Sequence, residues 1–174
     1  MAYRAVEIAN EFLRRADGGQ LTQMQVQKLT YIAHGWNLVI NGEGLVSDEV
    51  KAWPYGPVYP DLYEHTKFFG KQPIGRLITP DDASVARFFS DGRPTSKPYQ
   101  AKLNPLESAV VEHVWRRYGG LSAIKLSELT HQPNTPWSRA FRARGQGAPL
   151  LEEDIRAHYL SLAQRASDAV GNPA

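Results

Sequence analysis

The sequence contains no cysteine in its 174 residues. That excludes disulfides, thiolate nucleophiles and zinc–thiolate sites together, and it fits a reducing compartment. No apolar run is long enough to span a bilayer, and none near the N-terminus resembles a signal peptide. The expected location is the cytoplasm, with no membrane partner. Charge of one sign is scarce as well: Lys+Arg 20 against Asp+Glu 18 leave a formal +2. So small a net charge gives no bulk electrostatic argument for nucleic acid. What is present suits one domain, 42% hydrophobic and 22% charged residues over a length that can bury a sizeable core.

The organising stretch is 21–63, which reads as a long buried helix, an extended segment and a tight turn, Trp53-Pro54-Tyr55-Gly56-Pro57-Val58, leading into another helix. Thr22 is an N-cap, and Gln25 three residues on can reach back to the cap nitrogen. Leu29, Ile32, Ala33, Trp36, Val39 and Ile40 then repeat at helical spacing, with Tyr31, His34 and Leu38 widening the stripe. A helix apolar over so much of its circumference must be central. It should run from about 23 to 40 and stop at Asn41-Gly42.

Around it, residues 3–16 predict a first helix with Val6, Ala9, Phe12 and Leu13 inward, stopped by Asp17-Gly18-Gly19. Residues 45–53 read as extended, 60–69 as helix, and 75–79 as a short strand pairing with the earlier extended segment. Thr79-Pro80-Asp81-Asp82 starts a helix expected to end near Ser90. Asn104-Pro105-Leu106-Glu107 starts the next, with Leu106, Val110, Val114 and Tyr118 as its buried stripe. Further helices are expected from Ser122 through Thr130 (Leu126 and Leu129 inward), from Pro136, and over about 152–167, with Ile155, Tyr159, Leu162 and Ala166 inward. The fold class is mainly α (α+β): one domain over 1–170, a helical bundle around a central buried helix with a two- or three-stranded β element, and a frayed tail at 171–174.

Catalytic patterns are missing: there is no G-x-S-x-G elbow, P-loop or G-x-G-x-x-G. Ser127 and His131, four apart on a helix, could begin a nucleophile–base pair, but a surface hydroxyl beside a helix-terminal histidine explains them more simply. Glu128 and His131 have one E-x-x-H spacing where a di-iron bundle needs two, and none of the five histidines pairs at i, i+4. The reading is a non-enzyme with no metal or cofactor. Gly35, costly in a helix interior, signals that another backbone or ring comes close beside His34. Trp53, Tyr55 and Trp137 sit in proline-bound turns, where aromatic rings often serve recognition. The alternative function is a DNA-binding regulator, using the helix–glycine-turn–helix at 105–130 and the Arg139, Arg142, Arg144 cluster. Glu128 opposes Lys125 on its second helix, which argues against nucleic acid.

Three stretches in register carry a resemblance: Val26-Gln27-Lys28-Leu29-Thr30-Tyr31-Ile32-Ala33-His34-Gly35-Trp36, Val50-Lys51-Ala52-Trp53-Pro54-Tyr55-Gly56-Pro57-Val58, and Leu126-Ser127-Glu128-Leu129-Thr130-His131 ending in Pro136-Trp137. Together they resemble the Panacea domain family, also called GepA or SocA-like, over nearly the whole chain. The resemblance implies an antitoxin of a bacterial toxin–antitoxin pair that neutralises a cognate toxin by direct protein binding. The SocA branch, the best match, further implies a proteolytic adaptor delivering the toxin to the ClpXP protease. Thr135 stands where the family pattern has serine, a conservative change at a helix cap. From these motifs the expected partner-binding face is Tyr31, His34, Trp53, Tyr55, Gly56, Pro57, Thr130, His131 and Trp137. Alanine at Tyr55 and Trp137 is expected to weaken toxin binding without unfolding the chain.

Overall fold

The computed structural model describes residues 1–83, 87, 91 and 93–171. Seven α-helices lie among them: α1 (Ala5–Ala16), α2 (Gln23–Ile40), α3 (Pro60–Thr66), α4 (Pro105–Tyr118), α5 (Ala123–His131), α6 (Pro136–Arg144) and α7 (Glu152–Gly171). A two-stranded antiparallel hairpin, β1 (Lys51–Trp53) and β2 (Gly56–Val58), joins α2 to α3 in the register Lys51↔Val58, Ala52↔Pro57, Trp53↔Gly56. The fold is mainly α, as the hydrophobic pattern requires. No described helix is long and apolar enough to cross a membrane.

Helix α2 begins on the expected capping box, where the Thr22 hydroxyl and the Gln25 amide satisfy each other's backbone nitrogens. Its buried residues run unbroken from Val26 to Leu38, and α1, α3, α4, α5, α7 and β2 all pack on it. Ile40, expected on that face, is 55% exposed at the helix end, beyond its neighbours' reach. The Gly35 signal is answered by α7: a Cβ on Gly35 would lie 2.2 Å from Cε2 of Tyr159. That ring meets Tyr31 and Trp36 edge-on, at centroid distances of 6.2 and 5.4 Å.

The expected strand at 75–79 is absent, and a side chain does its work. Asn10, buried on α1, accepts from the Ile78 nitrogen (2.8 Å) and donates to the carbonyls of Ile78 (2.9 Å) and Tyr99 (2.8 Å). One amide thus satisfies the backbone a ladder would have served. Of the helix expected after Thr79, a 3₁₀ turn covers Pro80–Ala83; residues 84–86 and 88–90 of its expected continuation, and the tail beyond Gly171, lie outside the described residues. In α4 the inward stripe is Val110, Val111 and Val114, while Leu106 is 65% exposed. The reason is Glu107, whose buried carboxylate accepts from the Asn104 nitrogen (2.9 Å) and the Tyr3 hydroxyl (2.8 Å) and turns its neighbour outward. Ala166, expected inward, is exposed because α7 leaves its neighbours behind after Ala163.

Candidate functional site

Pro54 and Tyr55 form the two-residue turn of the hairpin, with proline fixing the first backbone torsion and Gly56 at φ 109°, a conformation open to glycine. Every second carbonyl from Trp53 to Tyr59 then accepts a side-chain hydrogen bond. Trp137 of α6 donates its Nε1 to Trp53 (2.7 Å), and Ser127 of α5 its hydroxyl to Tyr55 (2.7 Å). Lys28 of α2 donates its amine to Pro57 (2.8 Å). Gln27 of α2 donates to Tyr59 (3.0 Å) and accepts from its nitrogen (2.9 Å). The outer edge of β2, open to pairing in a bare hairpin, is therefore closed by α2. On the other side, Gly147, Ala148 and Leu150 bond β1 and Val50 through the backbone. Three helices grip seven residues.

What the grip leaves exposed is the tip. Pro54 is exposed and the Tyr55 side chain, 70% exposed, makes no hydrogen bond among the described residues. Half-buried rings surround it: Trp53 against Tyr63 (4.9 Å), His131 against Trp137 (5.3 Å), and Trp137 stacked on Phe141 (4.8 Å). Trp53, Tyr55, His131 and Trp137 thus come together at the surface. Gly56, Pro57 and Thr130 lie beneath them, buried, and a Cβ on Gly56 would sit 2.9 Å from the Lys28 amine and 3.2 Å from the Thr130 hydroxyl. Tyr31 and His34 do not join this surface. Both are buried, Tyr31 against Tyr159 and His34 with its Nδ1 accepting from the Val46 nitrogen (3.1 Å).

The Ser127–His131 pair reads differently in three dimensions. Ser127 is buried rather than on the helix surface, and its hydroxyl proton goes to the Tyr55 carbonyl. The His131 Nδ1 bonds the Ser127 carbonyl and lies 3.4 Å from the hydroxyl, so the ring orients the turn and is not placed to take the serine proton. Among the described residues no three His, Asp or Glu side chains gather as metal ligands. On α5 the outward residues are Ile124, Lys125 and Glu128, the last two paired at 3.7 Å, so no basic recognition surface faces out.

Lys28 and Gln27 are the site residues that sequence reasoning passed over. The signal was there: Lys28 falls four residues before Ile32, on the apolar stripe itself, where an unpaired amine is costly. It is 1% exposed, and burial pulls its pKa from 10.5 to about 7. Burial likewise lowers His34 from 6.5 to about 4. In both cases the unfolded chain binds the extra proton. Stability is therefore lost as pH falls from 6.5 toward 4 through His34, and gained as pH rises from 7 toward 10 through Lys28. Above about pH 10 the buried Tyr31, Tyr59 and Tyr159, whose pKa values burial raises, reverse the trend. Urea unfolding between pH 7 and 10 should show a gain of up to roughly 1 kcal/mol per pH unit, absent in Lys28→Met.

Residues 26–138 match the profile of the family described as "Antitoxin SocA-like, Panacea domain". That span begins one residue before Gln27 and closes just after Trp137, so every side chain gripping the hairpin lies within it. The chain is also 31% identical over 131 residues to Antitoxin SocA of Caulobacter vibrioides (strain NA1000 / CB15N), across 75% of this chain and 64% of that protein. The match thus spans less than two thirds of the relative's length. No solved structure matches.

Proposed function

This chain belongs to the SocA-like antitoxins with a Panacea domain, and we propose that it neutralises a toxin protein by direct binding through the gripped hairpin. The observation that carries the reading is Tyr55: a large ring left 70% exposed on a tip whose backbone three helices immobilise. An anchor held in its bound geometry loses little entropy on docking, and a tyrosine supplies both apolar area and a polar end. Trp53, His131 and Trp137 extend the contact. Gly56, Pro57 and Thr130 shape it from below, and Tyr31 and His34, buried against Tyr159 and Val46, belong to the core. The chain acts by binding, with no bond-making chemistry of its own. Its partner is the cognate toxin, and since proteins of the Panacea family are typically encoded beside their toxins, the product of the adjacent reading frame is the candidate.

Delivery of that toxin to ClpXP is the finer form of the same reading. The test is the toxin's lifetime after translation is stopped, in cells with and without this chain and with and without ClpX. Neutralisation with a shortened lifetime only when both are present means delivery. Neutralisation with an unchanged lifetime means sequestration. A toxin that neither co-purifies with this chain nor loses its effect on growth contradicts both.

A further inference from the structure

Among the described residues Lys28 is the side-chain amine that bonds the hairpin backbone, and a contact surface alone does not account for it. From β2, the groups facing its amine are the Pro57 carbonyl, 2.8 Å away, and Gly56, whose missing side chain leaves it room. From α5 the facing group is the Thr130 hydroxyl, which itself donates to the Leu126 carbonyl (3.0 Å). None of these ionises. The charged side chains of α5, Lys125 and Glu128, pair with each other, and the His131 ring is held on the Ser127 carbonyl. On α2 itself the neighbouring Gln27 is taken up by Tyr59. Lys28 thus makes one hydrogen bond and no ion pair among the described residues. A methionine would fill the same space with less desolvation, but it could not donate.

We infer that Lys28 is a positioning residue of the partner-facing hairpin: its amine, donated to the Pro57 carbonyl, holds the tip in the orientation that presents Tyr55, without touching the partner itself. This rests on the reading of the hairpin as the binding face. Without the donor, the Pro57 carbonyl faces the interior unpaired, and β2 must move outward to reach water. A proton taken up by the amine has the same effect, because the ammonium also seeks water, so the grip tightens as pH rises through the window in which only the open form is charged.

The test uses the full chain with Lys28→Met, reading amide exchange at Gly56 and Val58, the thermal midpoint, and affinity for the product of the adjacent reading frame. Exchange at the hairpin should quicken by about tenfold or more, and affinity should fall by a similar factor, while the midpoint moves by less than about 5 °C. Unchanged hairpin exchange, or unchanged affinity, overturns the inference. Tyr55→Ala run alongside separates two failures. If it weakens the complex and Lys28→Met does not, the positioning role is wrong and the face stands; if neither does, the face is wrong. Should Lys28→Met not fold, the native chain decides. Its hairpin protection, corrected for intrinsic exchange, must rise by about tenfold or more from pH 7 to 9.5, and a flat profile overturns the role.

Discussion

Gly35→Ala should destabilise the chain by about 3 kcal/mol, net of the roughly 1 kcal/mol that alanine gains over glycine in a helix interior. The ground is steric. The added methyl would stand 2.2, 2.3 and 2.6 Å from three carbons of the Tyr159 ring, far inside contact distance. The ring cannot slide aside cheaply, because Tyr31 and Trp36 hold it edge-on and it is 4% exposed. Either α7 lifts from α2 or Tyr159 leaves its seat, and losing a large aromatic from a core costs about 3–5 kcal/mol. The expected fall in thermal midpoint is on the order of 6–12 °C. A second substitution checks the cause: in a Tyr159→Leu background, Gly35→Ala should cost little or become stabilising. A penalty that persists there would place the strain elsewhere.

Tyr55→Ala should raise the dissociation constant for the toxin by about thirtyfold, near 2 kcal/mol, the usual scale for an aromatic anchor at the centre of an interface. Its thermal midpoint should stay near that of the native chain. Ser127 binds the Tyr55 carbonyl, which alanine keeps, and the lost ring had been mostly in water. Trp137→Ala differs from the expectation drawn from sequence. Its indole bonds the Trp53 carbonyl and packs with His131 and Phe141, so removing it should weaken binding and stability together. Equal loss of stability in the two variants would contradict this division of labour.

The helices were legible where short-range chemistry decides them. Thr22 with Gln25, and Asn104 with Glu107, start α2 and α4 by caps that depend on a few adjacent residues. Gly35 announced a close approach by a backbone or a ring, and the Tyr159 ring, 124 residues away, makes it. The β element was harder. Asn10 and Gln27 each stand in for a strand, and a side chain that satisfies distant backbone leaves no periodicity of its own. For the same reason nine residues named from shared motifs divide into exposed Tyr55 with half-buried Trp53, His131 and Trp137, a buried layer beneath, and Tyr31 and His34 in the core. Motif membership marks what the site needs, and much of that need is support. Lys28 had a readable signal, an amine on an apolar stripe, but its partner, the Pro57 carbonyl, is defined only by the fold.

The most direct test of the central claim, that a preformed hairpin tip is the docking surface, is amide exchange of this chain measured free and bound to the product of the adjacent reading frame. The predicted result is added protection confined to residues 53–59 and 127–137, with α1 and the exposed end of α7 unchanged. Protection that appears instead at the C-terminal end of α6 around Arg142 and Arg144, with the hairpin exchanging as before, would contradict it.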